Sequence, residues 1–238
     1  NQLHGTDPLH LTRSFSHLLA YTDGAGPNAH ANTAARKVGS GAFLTAQTNQ
    51  GWAPESASLA SHAPGEQTVP RAELHAATLA LLSLSEAKSL LIITDAEEFY
   101  LTATTDSRLS QALGGINTDL WAEWVDAISK FKGGLTITHI RSHALDSDSK
   151  EARQRLTQNI HQRKYRTPAK RPPDTVSQDS DALRHYSLTH HGLWHSLGNS
   201  FADKAADLAQ EAAAPPAHLV ALFERFQSYA FLTARRNA

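Results

Sequence analysis

The sequence predicts an α/β domain, a mixed five-stranded sheet with helices packed on its faces. Two observations carry the prediction. Short apolar runs with strand character occur three times before the first helical pattern and then alternate with helices. The last two runs, Leu90-Leu-Ile-Ile-Thr94 and Leu135-Thr-Ile-Thr-His-Ile140, are short and β-branched, as expected of strands inside a sheet covered by helices.

Taken in order, residues 1–14 read as a polar lead-in. Phe15–Tyr21 is mostly apolar and stops at Asp23-Gly24-Ala25-Gly26-Pro27, a turn signal, so it reads as a first strand. Val38–Thr45 reads as a second strand and Ala57–Ser61 as a third. Val69-Pro70-Arg71 opens a helix in which Leu74, Ala77, Leu81 and Leu84 recur at spacings of three and four. Leu90–Thr94 is the fourth strand, Glu97–Thr104 a short helix, and Asp119 the expected cap of a helix over Leu120–Phe131 that Gly133-Gly134 stops. Leu135–Ile140 is the fifth strand. Residues 146–197 are rich in Ser, Asp, Gln, Arg and Pro, have no period, and read as an insertion. A helix follows over Gly198–Ala213 with Asn199 as its cap. After Pro215-Pro216, an amphipathic helix is expected over about Ala217–Arg235, its face of Leu219, Leu222, Phe223, Phe226 and Tyr229 or Ala230 expected to pack on the sheet, with docking on a polymerase partner as the alternative. The organisation expected is thus 1–14, a domain over 15–213 interrupted at 146–197, and a C-terminal helix in 214–238.

Composition removes several function classes. Cysteine is absent, which excludes disulfides and thiolate metal sites. No run of eighteen apolar residues exists, so no membrane partner is expected, and Asn1–Ser16 lacks the pattern of a secretory signal. Methionine is also absent, even at position 1, as expected of a piece of a longer polyprotein or of selection against that residue. The net charge of −1 is unevenly spread: Lys150–Arg171 holds eight Lys/Arg and one Glu, leaving −8 on the remainder.

Four acids occupy positions awkward for acids. Asp23 and Asp95 follow buried strands, Glu73 lies in the first turn of an apolar helix, and Asp203 lies near the start of an Ala-rich one. Taken singly, an Asp after a strand is usually a turn residue, a first-turn Glu suits the helix dipole, and Asp203 suits a solvated face. Strand ends and helix starts can converge on one sheet edge, however. Carboxylates gathered there repel one another unless cations fill the gap. Hard oxygen ligands suit Mg²⁺, and paired ions suit phosphodiester chemistry. A zinc site at His185, His190, His191 and His195 is disfavoured, because the spacing matches no known ligand pattern.

Five blocks carry a family likeness: Tyr21-Thr-Asp-Gly24, Arg71-Ala-Glu-Leu-His-Ala76, Ile93-Thr-Asp95, His139-Ile-Arg-Ser-His-Ala144 and Gly198-Asn-Ser-Phe-Ala-Asp203. In content and order they resemble type 1 RNase H, and most closely the RNase H domains of retroelement reverse transcriptases. The resemblance implies an RNase H-like fold, a five-stranded mixed sheet with helices on both faces, here with a basic insertion before the last core helix. It implies an endonuclease that hydrolyses the RNA strand of RNA–DNA hybrids with two Mg²⁺ ions, Mn²⁺ being a substitute. Asp23, Glu73, Asp95 and Asp203 are the implied ligands, and His143 the implied aid to proton transfer or product release. Implied partners are the hybrid and a linked reverse transcriptase, and an intracellular location, nuclear or cytoplasmic, is expected.

The alternatives are a catalytically silent nucleic-acid-binding module of a polymerase, a cellular RNase H, and a DNA-cutting transposase or integrase core. None of the four acids is lost, against the first; the Gly-Asn-x-x-Ala-Asp block speaks against the last. Three departures from the family pattern stand out. Val69-Pro70 replace polar residues that contact ribose, leaving Thr68 and Arg71 as the expected contacts there. Ala96 follows Asp95 where Ser is common. Asp203 comes 60 positions after His143. The family's basic handle is missing, so the segment with Arg163, Lys164, Tyr165 and Arg166 is expected to grip the phosphate backbone in its place.

Overall fold

The computed structural model describes residues 2–26, 37–48, 51–143 and 192–216, with parts of 150–154 and 218–228. The strands are β1 (Gln2–Gly5), β2 (His17–Ala25), β3 (Gly39–Thr48), β4 (Gly51–His62), β5 (Ser89–Thr94) and β6 (Gly134–His139). The helices are α1 (Pro8–Ser14), α2 (Val69–Ser83), α3 (Glu97–Ala103), α4 (Asp106–Ala112), α5 (Thr118–Lys130) and α6 (Gly192–Ala213). They build one sheet in the order β1-β4-β3-β2-β5-β6. β2, β3 and β4 form an antiparallel meander, while β5 and β6 run parallel to β2. The five expected strands are present in a mixed sheet.

The sixth strand lies in what reads as a polar lead-in. β1 pairs antiparallel with β4 at the sheet edge. Asp7 then caps α1, accepting from the Leu9 amide at 3.0 Å with Pro8 in the first turn. Leu11 anchors that helix in the core. These elements are too short to leave a periodic signal, and the backbone ladder holds β1 rather than an apolar pattern.

Alternation along the strands sorts the core into two layers. Leu18, Ala20, Leu44, Leu90 and Ile92 face Leu74 and Leu81 of α2, Phe99 of α3, and Trp121 and Trp124 of α5. Leu19, Tyr21, Phe43, Leu91 and Ile93 face the other way, against Ala202 of α6. Helices therefore cover both faces.

Glycines set how closely α6 lies on the sheet. A Cβ on Gly41 would sit 2.2 Å from the Ala202 carbonyl oxygen, and one on Gly39 2.0 Å from that of Ala206. These obstacles are helix backbone and cannot swing aside. Gly41→Ala is expected to cost about 1–3 kcal/mol as an overpacking change, read as a lower denaturation midpoint; an unchanged midpoint would show that α6 can lift away freely.

Four expectations require correction. β2 runs on through Asp23 to Ala25, because Asp23 pairs with Gly41 and Ala25 with Gly39, so the apparent turn is strand. α5 is not capped by Asp119: Asn117 stands at its N-cap with a φ of 63°, and Asp119 lies in the first turn. α6 starts at Gly192, which puts Asn199 inside the helix rather than at its cap. Beyond Pro216, the described residues Leu219, Leu222 and Phe226 are 47–63% exposed, so these three side chains do not pack into the core.

Candidate active site

β2 and β5 are parallel neighbours in which Tyr21 pairs with Ile93 and Thr22 with Thr94. The next residues in the chain are Asp23 and Asp95. Both follow the alternation of Tyr21 and Ile93 toward the α6 side, so the register brings two acids from distant sequence side by side. The location, at the carboxyl end of adjacent parallel strands, is where open α/β sheets place their sites.

Glu73 reaches the same point from the first turns of α2. Gly24 permits this, since a Cβ there would lie 2.7 Å from the Glu73 backbone nitrogen. Arg71 fixes the start of α2. It is 4% exposed, and its guanidinium donates to the Pro64 carbonyl, to Asn117 Oδ1 at 3.0 Å and to both carboxylate oxygens of Asp119. The pairing raises the Arg71 pKa and holds the Asp119 carboxyl down at about 2.

Carboxylate oxygens of Asp23, Glu73 and Asp95 lie within 4.8 Å of one another. Asp203 joins them around an open cleft of about 390 Å³, lined also by Ser142, His143 and Asp207. Burial, then the negative charges of Asp95 and Asp203, push the Asp23 carboxyl up to about 8. Burial and the same crowding raise Glu73 well above the usual carboxylate range. Asp95 is raised by burial, against the opposing hydrogen bond from Asn199 and the nearby His143. One oxygen of Asp23 accepts from the Gly24 amide at 2.7 Å. The other, Oδ2, and Glu73 Oε2 are buried without a hydrogen-bond partner. Buried, crowded, unpartnered oxygens with no nitrogen or sulfur donor among them fit a hard divalent cation such as Mg²⁺.

The expected acids and His143 are thus brought together at one cleft, His143 on its exposed rim with a φ of 52°. Thr68 stands half-buried at the N-cap of α2. Arg71 does not offer its guanidinium to a ligand, because that group is buried against Asp119; this corrects the expectation of a substrate contact. Arg163, Lys164 and Arg166 lie outside the described residues, as do His185, His190 and His191. His195 is buried and hydrogen-bonded to the Tyr21 hydroxyl at 3.1 Å. Among the described residues, the acidic trio is the only metal-competent cluster of three or more side chains.

Sequence reasoning missed three contributors. Asn199 donates to Asp95 Oδ2 at 3.0 Å, Asp207 lines the cleft one turn beyond Asp203, and Gly41 lets α6 descend beside Asp23. The i, i+4 spacing of Asn199, Asp203 and Asp207 was the available signal.

Comparison with curated proteins finds no match. Among solved structures, the fold is similar to the protease–reverse transcriptase of prototype foamy virus (16% identity, TM-score 0.50, covering 82% of this chain and 21% of that one). It is also similar to the isolated RNase H domain of that virus (18% identity, TM-score 0.46, covering 84% and 98%) and to RNase H1 of the halophilic archaeon Halobacterium salinarum (20% identity, TM-score 0.37, covering 52% and 86%). The chain therefore spans about a fifth of the length of the viral protease–reverse transcriptase. The RNase H family model matches residues 16–161, more than half of the chain. Because that match takes in the β2–β6 sheet together with Asp23, Glu73, Asp95 and His143, the chain belongs to the RNase H family.

Proposed function

We propose that this protein is an endonuclease that hydrolyses the RNA strand of RNA–DNA hybrids using two Mg²⁺ ions, with Mn²⁺ as a substitute. The observation that carries the reading is the convergence of Asp23, Glu73 and Asp95 within 4.8 Å, with buried carboxylate oxygens that have no partner in the protein. When bound, the ions stabilise the attacking and leaving oxygens of an in-line displacement.

Asp23, central to the cluster, would bridge both ions. Glu73 and Asp95 would hold the one on the water side, and Asp203 the other. His143, on the rim, would assist proton transfer or product release. Val69 and Pro70 offer no side-chain hydrogen bond to a ribose hydroxyl. Hybrid recognition therefore rests on Thr68, backbone groups and groove shape.

Residues 15–213 form the catalytic unit in this reading, with the insertion expected over 146–197 ending where α6 begins at Gly192, and 214–238 appended. The source is a retroelement polyprotein with a linked reverse transcriptase, working inside the cell. Arg163, Lys164 and Arg166 supply phosphate contacts. Deleting 150–171 is then expected to weaken hybrid binding and to flatten its dependence on salt, by roughly one unit of log–log slope for each phosphate no longer neutralised. An unchanged slope in a salt titration would remove that role.

The decisive experiment incubates the protein with labelled RNA–DNA hybrid, RNA duplex and DNA duplex, in Mg²⁺ or EDTA, beside Asp95→Asn. RNA cleavage confined to the hybrid and abolished by chelator and by the substitution is the expected result. Cleavage of DNA duplex, or activity that survives EDTA, would overturn the reading.

A further inference from the structure

We propose that Asn199 is a positioning residue for Asp95, fixing the orientation in which that carboxylate meets a divalent cation. The inference rests on the reading of the acidic cluster as a metal site.

The Asp95 carboxylate is tied to α6 through the Asn199 Nδ2 donation to Oδ2 at 3.0 Å. An ionised carboxylate only accepts, which settles that the amide nitrogen faces it. The backbone beneath is held separately: His139 Nε2 meets the Asp95 carbonyl at 3.1 Å, and the Ala96 amide donates to Thr94 Oγ1 at 3.1 Å. With the main chain fixed from β6 and β5, the remaining freedom of Asp95 is rotation of its carboxylate, and Asn199 removes it. Asn199 engages Oδ2, and the carboxylate so held lines the cleft with Asp23 and Glu73.

The placement of Asn199 is itself rigid. It is 5% exposed and sits between two close approaches of α6 to the sheet. A Cβ on Gly198 would fall 2.5 Å from the Tyr21 ring, and Gly41 meets the helix backbone at Ala202. Asn199 and Asp203 are four residues apart and share a helix face. One helix thus delivers a carboxylate to the cleft and clamps another that belongs to the sheet.

The arrangement has a cost that a purely structural residue need not carry. Asn199 Oδ1 is buried without a hydrogen-bond partner, and such an atom is unfavourable. Leucine has the same branching and no orphan oxygen, but it would leave Asp95 Oδ2 without its donor, so the amide is tied to the carboxylate it holds.

The test compares the full chain with Asn199→Leu and Asn199→Ala, titrated with Mn²⁺ while free Mn²⁺ is read by electron paramagnetic resonance. Metal-free melting is followed in parallel. Loss of an outer ligand partner weakens metal affinity by about 10–100-fold, and that weakening is expected in both variants. The Leu variant, which sheds the orphan oxygen but also the donor to Asp95 Oδ2, should meanwhile melt close to the wild-type temperature. Mn²⁺ affinity in the Leu variant within twofold of wild type would overturn the proposal, even if the Ala variant binds weakly, because packing rather than the donor would then be responsible. If the Leu variant does not fold, the Ala variant decides by the same criterion. Wild-type protein that binds no Mn²⁺ and cuts no hybrid would instead overturn the metal-site reading itself.

Discussion

Asp23→Asn is expected to lower the rate of hybrid cleavage by about a thousandfold or more, while hybrid affinity holds or rises. The carboxylate at 23 lies beside both of its acidic neighbours and, in the proposed two-ion reading, is the one that would be shared by both cations. An amide of the same shape keeps the packing but cannot neutralise two positive centres, and metal-assisted charge stabilisation is worth several kcal/mol of barrier. Affinity moves the other way because hybrid binding rests chiefly on cation–phosphate contacts elsewhere, and a carboxylate that repels phosphate has gone. Single-turnover cleavage together with equilibrium binding in Ca²⁺ separates the two effects. Equal reductions in both would point to misfolding.

The same substitution should make the metal-free protein more stable at pH 8, by about 2–3 kcal/mol, because a crowded buried charge is costly. Burial and the neighbouring carboxylates raise the folded Asp23 carboxyl to about 8 from an ordinary 3.8. Between those values the folded chain binds more protons than the unfolded one, so stability falls as the pH rises through the window. Below about pH 4 both states are protonated and wild type and variant should converge. For a chain of this size the difference corresponds to roughly 4–12 °C in melting temperature. Mg²⁺ at a hundred times the wild-type dissociation constant should erase the difference, since wild type gains about 2.7 kcal/mol there, and at a thousand times, about 4.1 kcal/mol, should reverse the order. Thermal melts from pH 4 to 8 in EDTA check this, and a metal-free variant that melts below wild type at pH 8 would contradict it.

The sheet was legible in the sequence wherever burial imposed a period. Leu90–Thr94 and Leu135–Ile140 coincide with β5 and β6 to within a residue or so at each end, the first because a strand covered on both faces is nearly all apolar, the second because its β-branched residues alternate with period two. The acids were legible as members of ordered motifs, and their meeting follows from register: Tyr21 opposite Ile93 leaves Asp23 and Asp95 nowhere else to go. What could not be read was determined by single tertiary contacts. β1 depends on backbone pairing, which has no side-chain signature. Asp119 looked like a cap because capping and ion pairing use the same residue types, and only the fold reveals Arg71 beside it. Asn199 likewise looked like a cap until α6 proved to begin seven residues earlier.

The close seating of α6 on Gly39, Gly41 and Tyr21 has a wider consequence for how this protein tolerates sequence change. The fourth acid is delivered by docking of a helix, not by the chain that leads to it. A longer tether between β6 and α6 costs little, about 0.6 kcal/mol for each doubling of a flexible loop. The interval of 60 positions between His143 and Asp203 is therefore compatible with an intact cluster, and evolution is free to load new binding elements into that interval without redesigning the chemistry.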